Sequence, residues 1–416
     1  MISYGNIYIK LFNFIIINDR KGRPMKISSV SIKNVGGIKN LELKFNQKLN
    51  LICGANGVGK TTIINCISNA FNIFHNLFYL KKYAGSDIGE VNLDYIINGV
   101  VKSRIYKLTD FAPSEHNISN SNGVVFQDIK KILLFNSNRE LNYVELNSVD
   151  RDPQLDSYQY TQLSVLGINS DNIKSWFVNR HLFSFGHDLN EQQLFNFVYA
   201  KKTFSIIDNS ICFKQVKADT FDIIVETPKG EIYFEYLSSG YKSCIYVLMG
   251  IIKEIEFRFK EPYIKITDFD GIILIDEVDM HLHPQWQAKL LNALKEMLPN
   301  AQIIATTHSP SMLQTISPDE IIVLDNDDRN NVYQRQLNLG TYGLQGWTIE
   351  EILTDIMGLS STSSELYTST LERFDKAMDD EDKIEIMKQY HILDEMIHPK
   401  NPLKRLLKIQ VAEWED

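Results

Sequence analysis

The sequence is poor in cysteine. Four occur in 416 residues (Cys53, Cys66, Cys212 and Cys244), and no two have C-x-x-C spacing. This argues against a disulfide framework or a zinc site and fits a reducing cytoplasm. Long apolar runs are also lacking. The stretch Ile7 to Ile17 is interrupted by Lys10 and Asn13, falls short of the ~20 residues a spanning helix needs, and lacks the basic start and small-residue cleavage site of a signal peptide. A cytoplasmic chain without a membrane segment is therefore expected. Positive charge is in deficit too, since the formal net charge is −9, unlike that of a protein that coats nucleic acid. The imbalance is not uniform. Residues 1–60 carry ten Lys/Arg against two Asp/Glu, leaving −17 on the remainder. That basic N-terminal lobe is a candidate DNA-facing surface, although solvated strand edges account for such lysines equally well.

What is present is a phosphate-binding loop. Gly54-Ala55-Asn56-Gly57-Val58-Gly59-Lys60-Thr61-Thr62 reads G-x-x-x-x-G-K-T. It follows the apolar run Leu49–Cys53 and precedes a helix with an apolar face, which is the strand–loop–helix context that the motif requires. Glycines let the backbone turn and converge its N–H groups, and the helix adds the positive end of its dipole. The nucleotide-binding set is Asn56, Gly57, Gly59, Lys60, Thr61 and Thr62. Lys60 is expected on the β/γ-phosphates of ATP and Thr61 on Mg2+.

A second set of residues lies 177 positions beyond Lys60. Leu237-Ser238-Ser239-Gly240 opens a long helix, with Ser238 as N-cap and Gly240 free of a side chain. Gly271 to Ile275 is a buried-strand pattern ending in Asp276 and Glu277. Asp276 is expected to support Mg2+, and Glu277 to activate water as a general base. His281 and His283 lack a third ligand, and His283-Pro284 reads better as a helix start, with Trp286, Leu290, Leu291, Leu294 and Met297 as its buried stripe. Gln302 to Thr307 is another parallel strand, and His308 stands at its carboxyl end, where ligands of open α/β sheets lie. Between the two sets, helices are expected over Ile173–Phe185 and Glu191–Thr203, with Trp176, Phe177, Leu182, Leu194, Phe197 and Val198 on their apolar faces. After Trp347, helices are expected around Ile349 (capping box from Thr348), Leu371, Ile384 and Asn401-Pro402.

The segments G-A-N-G-V-G-K-T, L-S-S-G-Y-K-S, I-L-I-D-E-V-D-M-H-L-H-P and T-T-H-S-P together resemble the soluble ATP-binding-cassette ATPases related to SMC and RecF proteins, over roughly residues 26–325. The resemblance implies an α/β fold of the ABC-ATPase head type: a mixed sheet around the P-loop helix, an antiparallel β subdomain and a helical signature lobe, followed here by a helical tail. It implies a homodimer, or a higher oligomer, that shares ATP between one chain's P-loop and the other's Ser238 and Gly240. It also implies a subunit-crossing role for Asp279 and a γ-phosphate switch role for His308. The family carries a polar residue after the strand at Lys130–Phe135, and Gln127, Asn138 and Arg139 all qualify. The tail and the Ser175-Trp176-Phe177 helix look like the ATPase subunits of Septu-type and retron-associated anti-phage defence systems, which work with a separate HNH nuclease subunit (PtuB-like). The expected organisation is an N-terminal extension over 1–24, a P-loop lobe over 25–146, a mostly helical insertion over 147–210, the remaining ATPase elements over 211–340 and a helical tail over 341–416. A RecF-like repair ATPase and a slow nucleotide-gated scaffold are the alternatives. The intact Glu277 speaks mildly against the scaffold.

Overall fold

A computed structural model describes residues 24–72, 80–112, 126–139, 141–168, 170, 172–186 and 188–414. The apolar stretch Ile7–Ile17 lies outside them. The centre is a six-stranded sheet in the order β13-β12-β3-β11-β10-β6. Its strands are β3 (Leu49–Gly54), β6 (Ile132–Phe135), β10 (Ile272–Ile275), β11 (Gln302–Thr306), β12 (Ile321–Asn326) and β13 (Val332–Arg335). All neighbours pair in parallel except β13, which is antiparallel to β12. Every residue of β3, β6, β10 and β11 is buried, as parallel strands covered on both faces must be.

A second, antiparallel sheet has the order β2-β1-β4-β5, from β1 (Met25–Val35), β2 (Ile38–Lys44), β4 (Gly89–Ile97) and β5 (Val100–Leu108). Along β4 burial alternates residue by residue, the mark of one face on a core and one on solvent. Helix α1 (Lys60–Asn69) shares one core with both sheets, through Ile63, Ile64 and Ile67 against Ile27, Leu93, Ile52 and Ile304. The buried Gln302 amide stitches the sheets together. It accepts from Ile27 N at 2.7 Å and donates to Ile27 O at 2.9 Å.

The remaining part of this first unit is a helical lobe with a small antiparallel sheet. The helices are α2 (Ser157–Leu166), α3 (Ile173–Phe183), α4 (Glu191–Lys202) and α5 (Ser239–Arg258); the sheet is β7 (Cys212–Val216), β8 (Ile223–Thr227) and β9 (Gly230–Tyr233). Trp176, Phe177 and Phe197 are buried as expected, but Leu182, Leu194 and Val198 are exposed by 41%, 37% and 46%. The buried stripe of α4 runs through Gln193, Asn196, Phe197 and Ala200. Asn196 turns inward because its side chain donates to Ile264 O (3.0 Å) and accepts from Ile266 N (2.8 Å), which displaces the aliphatic positions outward. Helix α5 is buried nearly all round, including four charged residues. Their burial is tolerable because they are paired: Arg180 Nε and Trp176 Nε1 both donate to Glu256, and Arg258 Nε donates to Glu254. Helix α6 (Pro284–Met297) buries Leu290, Leu291, Leu294 and Met297, whereas Trp286 is only half-buried.

A second compact unit spans Leu353–Asp416. Its helices α7 (Glu365–Asp379), α8 (Lys383–Met396) and α9 (Pro402–Val411) enclose their own core of Phe374, Ile386, Leu393, Leu407 and Val411. No helix among the described residues is long and apolar enough to cross a membrane.

Candidate nucleotide site

The parallel strands end on one side of the central sheet, and the chemistry-bearing residues sit at those ends. The loop after β3 starts at Gly54. This residue has φ 139°, and a Cβ there would stand 2.2 Å from Leu324 O of neighbouring β12, so only glycine fits. Asn56 and Gly57 are exposed at the loop's tip, Gly59 precedes α1, and Thr62 packs against the β1–β2 turn at Gly36. The buried Lys60 side chain folds back across the loop, and Nζ donates to Gly54 O at 2.9 Å and Ala55 O at 2.8 Å. Burial holds this ammonium below its usual range, opposed by nearby Cys53 and the carboxylates of Asp276, Asp279 and Glu277.

Thr61 comes from α1 and Asp276 from the end of β10, 215 positions apart, yet Thr61 Oγ1 donates to the Asp276 carboxylate at 3.0 Å. Asp276 is 5% exposed. It also accepts from Thr306 Oγ1 of β11 at 2.7 Å, and the same hydroxyl accepts from Glu277 N at 2.7 Å. Glu277 has φ 49°, a conformation that a residue with a side chain adopts only when its surroundings impose it. Of the three polar candidates around β6, Gln127 lies in the short helix Phe126–Ile129 and Asn138 is exposed. Arg139 is buried against the acidic strand end, where Nη2 donates to Asp276 O and to Glu277 O (3.0 Å). Thr306 escapes sequence reading, because a threonine closing an aliphatic run looks like any β-former.

His308 follows β11 and is exposed. Partial burial, and then the Lys60 ammonium, hold its imidazole below the ordinary histidine range despite Asp279, Glu277 and Asp276 nearby. Asp279 is engaged within its own chain, where Oδ1 accepts from Thr307 Oγ1 (2.6 Å) and from His308 N (3.1 Å). Gln287 of α6 ties the same two loops together, donating to Leu282 O at 3.1 Å and accepting from Ser309 Oγ. His283 caps α6, its Nδ1 accepting from Gln285 N at 3.4 Å. Ser238 is the exposed N-cap of α5 and accepts from Tyr241 N at 3.4 Å. Gly240 is buried, and a Cβ on it would lie 2.3 Å from His281 O. Its lack of a side chain is therefore accounted for inside one chain, by the segment that carries Asp279.

The donors at Thr61 and Asp276 are a hydroxyl and a carboxylate. Such hard oxygen ligands suit Mg2+, which keeps waters and phosphate oxygens in its shell rather than an all-protein cage. Among the described residues no three or more His, Cys, Asp or Glu gather as a metal cage.

A family model described as an AAA ATPase domain matches residues 25–94. An AAA-domain model, described with reference to the AbiEii toxin of a Type IV TA system, matches residues 137–313. The Septu protein PtuA of Bacillus thuringiensis is 45% identical over 391 residues, covering 93% of this chain and 98% of that protein. The Septu protein PtuA of Bacillus mycoides (strain KBAB4) is 26% identical over 83% of this chain and 46% of its own length, so this chain spans about half of it. The Retron Ec83 probable ATPase of Escherichia coli is 22% identical, covering 74% of this chain and 73% of that protein. Among solved structures, the SMC head domain from Thermotoga maritima is 15% identical with a TM-score of 0.42, covering 76% of this chain and 100% of that chain.

Proposed function

The chain belongs to the Septu PtuA family of ATPases, and from that premise we propose that it hydrolyses ATP at a site shared between two copies and thereby regulates a separate HNH nuclease subunit in cytoplasmic anti-phage defence. The convergence of Lys60, Thr61, Asp276 and Glu277 carries this reading, because residues that follow two strands of the central sheet, β3 and β10, meet where a phosphate loop opens. In that site the convergent N–H groups of the loop and Lys60 hold the phosphates. Thr61 and Asp276 hold Mg2+, which when bound supplies positive charge to the phosphate oxygens. Glu277 takes a proton from the attacking water, and His308 meets the γ-phosphate from the opposite loop. Ser238 and the first turn of α5 present a second helix N-terminus to the partner chain's nucleotide.

The test is ATP turnover with Mg2+. Glu277→Gln is expected to bind ATP as the wild type does while turnover falls about 100-fold or more, the scale of a lost general base. Lys60→Ala is expected to lose nucleotide binding. Unchanged turnover in Glu277→Gln would remove the base assignment.

A further inference from the structure

We propose that Arg139 is a positioning residue for Glu277, fixing the backbone of the general base from the end of β6. The proposal rests on the ATPase reading above and deepens it. The peptide groups on both sides of Glu277 are pinned by side chains from the two strands that flank β10. On one side, Arg139 Nη2 donates to the carbonyls of both Asp276 and Glu277, and Arg139 Nε donates to Asn136 O at 3.1 Å, which fastens the guanidinium to the end of its own strand. On the other side, Thr306 Oγ1 receives Glu277 N–H at 2.7 Å.

Glu277 needs such a brace, because φ 49° is unfavourable for any residue with a Cβ. Relaxed to an ordinary conformation, the chain would carry the carboxylate elsewhere. Arg139 is only 4% exposed, so it is withdrawn from solvent. Its Nη1 has no hydrogen-bond partner among the described residues. A buried charge with an unsatisfied N–H is a poor way to stabilise a fold. A planar fork able to reach two successive carbonyls while braced on a third is what this position uses, and lysine cannot supply it.

The test compares ATP affinity, kcat and KM for the wild type, Arg139→Lys, Glu277→Gln and the double variant. Arg139→Lys is expected to keep nucleotide affinity within about threefold while kcat falls about 10- to 100-fold, the pattern of a misplaced catalytic group rather than lost binding. The double variant is expected to be no slower than Glu277→Gln alone, because Arg139 acts only through Glu277. Wild-type kcat in Arg139→Lys, or a double variant slower than Glu277→Gln by the full single factor, would overturn the proposal. If Arg139→Lys fails to fold, Arg139→Gln carries the same comparison. Unchanged turnover in Glu277→Gln is a separate outcome that sinks the base assignment itself, and the positioning role with it.

Discussion

Asp276 is already oriented by two hydroxyls, Thr61 from one side and Thr306 from the other, so in the proposed site its carboxylate would not need to search for its place when a phosphate-bound cation arrives. Preorganisation of this kind is where electrostatic catalysis gains most. Thr306→Val tests it. The shape is nearly kept, but Asp276 loses a donor and the Glu277 N–H loses its acceptor. A loss of about 1–3 kcal/mol in stability and at least about a tenfold fall in kcat are expected, from unmet buried hydrogen bonds. Thermal unfolding and turnover measure the two, and wild-type values for both would contradict the role. At this scale the positions of Lys60, Thr61, Asp276 and Glu277 were legible in the sequence, because phosphate and carboxylate chemistry tolerates few residue types at fixed spacing. Thr306 was not, because its hydroxyl matters only through neighbours 29 and 30 positions away. Arg139 could be named among candidates, but its target, a pair of backbone carbonyls, leaves no trace in side-chain pattern.

Elements are locked to one another by backbone approaches that only glycine permits. Gly54→Ala would drive a methyl into Leu324 O, and alanine would also be strained at φ 139°. The β3–β12 pair is expected to open, with loss of ATP binding and of cooperative unfolding. Gly240→Ala pushes His281 instead, at the start of α5 rather than in the central sheet. A lowered melting temperature with reduced turnover is expected, while Lys60-dependent nucleotide binding survives; an unchanged melting temperature would contradict the close contact. The aliphatic strands of the central sheet could be read directly, since fully buried parallel strands admit little else. Helix α2 (Ser157–Leu166) was missed because its buried side is Tyr160, Thr161, Ser164 and Val165. The polar members of that side are satisfied by backbone carbonyls, such as Tyr160 OH on Phe257 O at 3.0 Å and Ser164 Oγ on Ile132 O at 3.0 Å. Hydrophobic periodicity cannot see a stripe of this kind. The same blindness moved the apolar face of α4 to Leu194 and Val198, whereas Asn196 is the residue inside.

At the scale of the whole molecule, the first unit in the proposed arrangement holds one half of a nucleotide site at the P-loop and the complementary half at the helix end capped by Ser238. The tail unit closes on a core of its own. The central claim is that the two halves combine between copies of the chain, and complementation tests it most directly. Lys60→Ala spoils the P-loop half. Ser238→Glu leaves a helix start stabilised by negative charge but repels a partner's γ-phosphate. Each variant alone is expected to be inactive. Mixed one to one, half of the dimers are hetero-pairs with one intact site of two, so about a quarter of the wild-type ATP turnover is expected to return if the variants exchange freely. A mixture no more active than its two components, alongside an active wild type, would contradict a site shared between chains.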